Sequence, residues 1–158
     1  AGESADAMPK MYERARVRPL SVEELIPSLR VATGYDPAWA KNTGDYSEYY
    51  MRYFGEPNDG QGQFQGSLAE HLFINNAPQF RQYAQPRKGN LADTIANMKG
   101  SAEEKVDRLF LSVLSRMPSD KERARFVKHL SGDAKMMPQL VEEAVWVLMS
   151  CSEFRFNH

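Results

Sequence analysis

Apolar residues recur at helical spacing along the second half of the chain. Val106, Leu109, Phe110, Val113 and Leu114 fall three, four, seven and eight positions from the first of them. That is one stripe of a 3.6-residue helix facing a core, and Pro118 ends it. Phe126, Val127 and Leu130 mark the next helix, for which Gly132 is the expected left-handed turn past the end. The break between the two is only a few residues, which favours an antiparallel pair. A last helix is predicted from Pro138, where a missing amide proton costs nothing, through Leu140, Val141, Ala144, Val145, Leu148 and Met149. Trp146 and Val147 widen its apolar surface, so it should be packed on two sides.

Helix starts are marked as clearly as helix faces. Four times a serine is followed three residues later by glutamate just ahead of apolar periodicity: Ser21 and Glu24, Ser67 and Glu70, Ser101 and Glu104, Ser119 and Glu122. In such a capping box the serine oxygen accepts from the amide three residues on. The carboxylate reaches back to the serine amide and places negative charge at the positive helix end.

The first half is less regular. Val22, Leu25, Ile26 and Leu29 predict a helix after Ser21 that Pro27 should kink or tighten and that stops near Gly34. Tyr46, Tyr49, Tyr50 and Tyr53 in "DYSEYYMRYF" predict another. The stretch "GEPNDGQGQFQG" cannot hold a regular element and is expected to be a long surface loop. Leu68, Leu72 and Phe73 predict a short helix, and "PQFRQYA" and "LADTIANM" two further helical pieces. No β-alternating stretch competes. The expected fold is all-α, a single irregular multi-helix bundle of about six to eight helices with one long Gly/Gln-rich loop, with residues 1–10 as a flexible lead-in.

Composition excludes more than it assigns. The 158 residues suffice for one domain with a real core. With 20 basic and 21 acidic residues the chain carries no global field that would draw it to nucleic acid. No apolar run approaches the roughly 20 residues that span a bilayer. One cysteine rules out an internal disulfide and multi-cysteine metal or redox motifs.

The remaining chemistry is sparse. Cys151 follows Leu148 by one turn and is expected to be a buried structural thiol, because a helix C-terminal end disfavours a thiolate. Three widely separated histidines without HExxH spacing give no metal site. No cofactor is expected, since the glycine-rich loop has no phosphate-binding spacing. The tyrosine stripe is a core face before it is a sugar platform, and Arg14, Arg16 and Arg18 are solvated before they are an anion grip. A binding cleft, if present, is expected where the tyrosine helix, the long loop and the Ser67 helix meet. Its candidate residues are Arg52, Tyr53, Glu56, Asp59, His71, Asn75 and Asn76, which supply donors, acceptors and an imidazole but no catalytic constellation.

Four segments in order, "RPLSVEELIPSLRVATG", "SLAEHLFINN", "EEKVDRLFLSVLSRMPSDKERARFVKHL" and "EEAVWVLMSCSEFRFNH", resemble the C-terminal module of planctomycete-type secreted multidomain proteins, the domain of unknown function numbered fifteen fifty-three. The resemblance spans nearly the whole chain from Arg18 onward. It implies export, a place at the end of a longer protein, and neighbouring domains that often include a cytochrome c-like one. The chain departs from those neighbours in having no CxxCH, and the family offers no catalytic residues to carry over. In the terminal segment Phe154 and Phe156 are expected to tuck back onto the helices while Asn157 and His158 close the chain. Two functions follow as expectations. One is a non-catalytic interaction or ligand-binding module that docks against upstream domains or a protein partner. The other is part of a hydrolase-like or redox enzyme acting on extracellular carbohydrate and completed by upstream domains, with Glu56, Asp59 and His71 in a concave cluster.

Overall fold

The computed structural model describes residues 18–36, 72–73 and 76–157. Among them the architecture is all-α. Helices α1 (Val22–Thr33), α2 (Pro78–Arg81), α3 (Leu91–Asn97), α4 (Ala102–Leu114), α5 (Asp120–Leu130), α6 (Met137–Ser150) and α7 (Ser152–Arg155) follow in order, with a 3-10 turn at Ala134–Met136. The one extended feature is a two-residue antiparallel pair between β1 (Arg18–Pro19) and β2 (Phe156–Asn157), in which Arg18 faces Asn157 and Pro19 faces Phe156. Just past it the Leu20 amide donates to the Arg155 carbonyl at 2.8 Å.

The helices begin where their serines place them. Capping boxes form at Ser21, Ser101 and Ser119. At Ser101 both arms are drawn: its hydroxyl accepts from the Glu104 amide at 3.2 Å, and its amide donates to the Glu104 carboxylate at 2.9 Å. At Ser119 the hydroxyl also turns onto the carboxylate, 2.6 Å from Glu122. The box at Ser67, the tyrosine helix and the Gly/Gln-rich loop lie outside the described residues.

The helix ends hold one agreement and two corrections. Gly34 closes α1 with φ 65°, its amide donating to the Arg30 carbonyl at 2.9 Å. Gly132 does not play this part for α5, which ends at Ser131 with φ −84° and its amide on the Val127 carbonyl. Its hydroxyl reaches the same carbonyl at 2.7 Å, so the helix end is satisfied without a left-handed residue. The left-handed cap in this half of the chain is Ser115, φ 55°, at the end of α4. Cys151 does not continue the last helix either. It adopts an extended conformation (φ −73°, ψ 155°) between α6 and the separate four-residue α7.

Helix α6 packs against α3, α4, α5 and α7, and α1 packs against α3 and α4. Its buried residues Val141, Ala144, Val145, Leu148 and Met149 carry the predicted stripe. Trp146 is half-buried against the core, but Val147 is exposed, so the second packed side reaches only as far as Trp146. The α4 and α5 stripes meet through the Phe110 and Phe126 rings, edge to face with centroids 5.1 Å apart. An Asp107–Arg123 ion pair on the same two helices holds their outer edge.

Buried polar side chains fasten the backbone near them. Asn90, only 3% exposed, caps α3 by accepting from the Asp93 amide at 3.0 Å and the Arg87 amide at 3.1 Å, and it donates to the Gln85 carbonyl at 2.8 Å. Thr33 donates to the Leu29 carbonyl at 2.7 Å within the core. No helix among the described residues is long and apolar enough to cross a membrane.

Candidate functional site

Of the seven residues expected to form a cleft, only Asn76 is described. Its side-chain amide donates to the Leu72 carbonyl at 2.9 Å in an exposed helical turn. That is a local backbone interaction, and it directs the amide to its own chain. Arg52, Tyr53, Glu56, Asp59, His71 and Asn75 lie outside the described residues.

One concave feature among the described residues lies elsewhere. A groove of about 400 Å³ opens between the second half of α1, the end of α4 and the start of α7. Each wall follows from local sequence. Pro27 and Val31 are one turn apart on the outer side of α1, away from the buried Leu25, Ile26, Leu29 and Ala32 stripe. Pro27 has no amide proton to offer to the helix ladder and stands on the exposed side of α1. Ser28, beside it, turns its hydroxyl onto the Glu24 carbonyl at 2.7 Å. Val31 is 85% exposed, the most open large apolar side chain described.

The opposite wall is the last turn of α4, Ser112 to Ser115, where the chain leaves the helix through the left-handed Ser115. Glu153 and Phe154 of α7 complete the lining. Phe154 is 8% exposed and seals the groove against the core, as expected of a residue folded back onto the helices. Phe156, half-buried, lies in the β pair.

Beneath Glu153 is a charged knot. Arg116 spans two carboxylates, donating to both oxygens of Glu153 and to both of Glu122, the latter at 2.7 and 2.9 Å. Its guanidinium also lies over the Phe110 ring, 5.4 Å from the centroid. The Arg116 hydrogen bonds, with Ser119 adding its own, hold the Glu122 carboxyl down to a pKa of about 2. The one guanidinium thus ties the two carboxylates together. No positively charged side chain lines the groove, and Glu153 is its one ionisable residue.

Cys151 sits next to this site without joining it. Its thiol donates to the Leu148 carbonyl at 3.0 Å, and burial, the largest influence on it, pushes its pKa up despite the Phe154 and Glu153 amides. The expected burial is therefore only partial, the thiol being half-buried, and the raised pKa disfavours its thiolate. Among the described residues no three of His, Cys, Asp and Glu gather as a metal ligand set. The groove was not foreseen because its residues come from three elements and form no motif. The one sequence signal was Val31, an apolar residue out of phase with the α1 stripe.

Comparison of the chain with protein-family models, with curated proteins and with solved structures gave no match in any of the three.

Proposed function

We propose that this chain is a helical interaction module of an exported multidomain protein, and that the groove between α1, α4 and α7 is the surface it presents to a neighbouring domain or a protein partner. The observation that carries this reading is the apolar wall of Pro27 and the 85% exposed Val31 standing over a groove whose floor includes Val113 and Phe154. Exposed apolar surface beside a preformed concavity is what a docking surface requires. Single exposed aliphatic residues are ordinary. A valine and a proline lining one groove form a small continuous patch. Export and the presence of upstream domains rest on the resemblance of the four segments named above. The enzymatic reading depends on Glu56, Asp59 and His71, and nothing in the described site supplies a nucleophile or a paired acid and base for it.

The test is a photo-crosslink from position 31 in the full natural polypeptide. Benzoylphenylalanine replaces Val31, which its exposure permits without disturbing the core, and a matched probe replaces the exposed Lys128 on α5. The expected result is a crosslink from position 31 to a segment outside residues 1–158 or to a second protein, mapped by mass spectrometry, with none from position 128. Crosslinks from position 31 confined to residues 1–158 would overturn the assignment of this groove.

A further inference from the structure

We infer that residues 152–157 form a clasp that opens as one unit about Cys151 while the helical bundle stays folded, with β1 as the catch that keeps it shut. The backbone marks the hinge. Cys151 is extended, with α6 ending before it and α7 beginning after it. Its thiol donates to the Leu148 carbonyl at 3.0 Å, so the last turn of α6 has a partner that the later residues do not supply. Positions at the ends of elements are where chains absorb large changes in φ and ψ. Helix α7 is a single turn of four residues, too short to stand by itself, and closure therefore rests on contacts outside it.

Those contacts come from two sides. From the bundle, Arg116 bonds both oxygens of Glu153, and the core receives Phe154, which is 8% exposed. From the start of the described chain, β1 pairs with β2, and the Leu20 amide donates to the Arg155 carbonyl at 2.8 Å. Closure also takes the Arg155 side chain down to 7% exposure, a loss of hydration that opening returns. The bundle keeps its own packing without the clasp: α6 rests on α3, α4 and α5, and α1 on α3 and α4. A small set of ties on one side and an independently packed bundle on the other is the condition for local opening below global unfolding. A displacement of the chain at Arg18 is passed by the β pair to α7, whose Glu153 and Phe154 line the groove, so β1 governs one part of that lining.

The experiment is amide hydrogen exchange on the whole chain, followed by NMR. The Leu20 amide, bonded to the Arg155 carbonyl, and the Phe156 amide, bonded to the Ser152 carbonyl, report the clasp. The Phe110 and Val145 amides, inside α4 and α6, report the bundle. The expected result is one protection factor shared by Leu20 and Phe156, at least about tenfold below that of Phe110 and Val145. Sub-denaturing urea should speed the bundle amides by about fivefold or more per molar and the clasp amides by less than about twofold, because opening the clasp exposes little surface. Glu153→Gln should speed Leu20 and Phe156 by the same factor of about three. Leu109→Ala should speed Phe110 and Val145 on the order of a hundredfold while leaving the clasp amides within about twofold of the parent. Clasp amides that follow the bundle amides in urea or in Leu109→Ala would overturn the separate opening. Unequal protection at Leu20 and Phe156, or a Glu153→Gln effect on one alone, would overturn the single unit. Absence of protection at both would overturn the closed catch.

Discussion

Asn90 shows how much of a loop one side chain can hold. Buried between the turn after Ala84 and the start of α3, it uses its carbonyl oxygen twice and its amide once, all on backbone groups. Asn90→Ala removes a helix cap, costing about 1 kcal/mol, and leaves the Arg87 amide and the Gln85 carbonyl without that partner, for a total of about 2–3 kcal/mol. Asn90→Asp keeps the acceptor and loses the donor, so it should fall between. Urea unfolding of the three proteins measures this, and an alanine variant within about 0.5 kcal/mol of the parent would show that water replaces the side chain freely. None of this was legible beforehand, because the helical pattern of "LADTIANM" says nothing of the two loop groups folded over Asn90. Cys151 is the converse case. Its sequence position suggested a buried thiol on the last helix, but it is half-buried and its extended backbone was not legible, since no glycine or proline marks the break between α6 and α7.

Elements were the most legible level, for a physical reason. A capping box and an apolar stripe are local patterns, and three separate boxes agree with the stripes that follow them. What sequence could not show is how one residue ties elements together. Arg116, in the turn between α4 and α5, joins the Glu122 of the α5 capping box to Glu153 of α7. The fold therefore holds the Glu122 carboxyl near pKa 2, well below the roughly 4.3 of a free glutamate. A lowered carboxyl contributes stability that is present above its unfolded pKa and is lost as pH falls toward the folded one. The window is thus from about pH 5 down to about pH 2. Arg116→Gln should cost about 1 kcal/mol at neutral pH, a modest figure because these side chains are about a third exposed and screened by water and salt. More diagnostic is the slope. The variant should lose less stability on acidification across that window, and urea midpoints that fall in parallel for both proteins would contradict the assigned role of the knot.

At the scale of the molecule, α6 joins the parts. It packs against four other helices while α1 rests on α3 and α4, so the buried residues form one cluster. Leu109, fully buried on α4 within this cluster, is the place to test its unity. Leu109→Ala should cost about 3 kcal/mol, and the slowest amides of α1, α3 and α6 should lose hydrogen-exchange protection by the same free energy. Protection of α1 falling alone would divide the fold into two cooperative units. The groove belongs to this scale as well. It exists only because α1, α4 and α7 are brought together, which explains why helix-by-helix patterning predicted the bundle but pointed to other residues for the site. The small β pair has a mechanical consequence. Because Arg18 faces Asn157 in antiparallel register, a pull on the chain at these two points loads the ladder from one end, opening its bonds in succession instead of shearing them together. Under tension the pair would act as a zip that yields at low force, with the Leu20 to Arg155 bond next in line before strain reaches the helices.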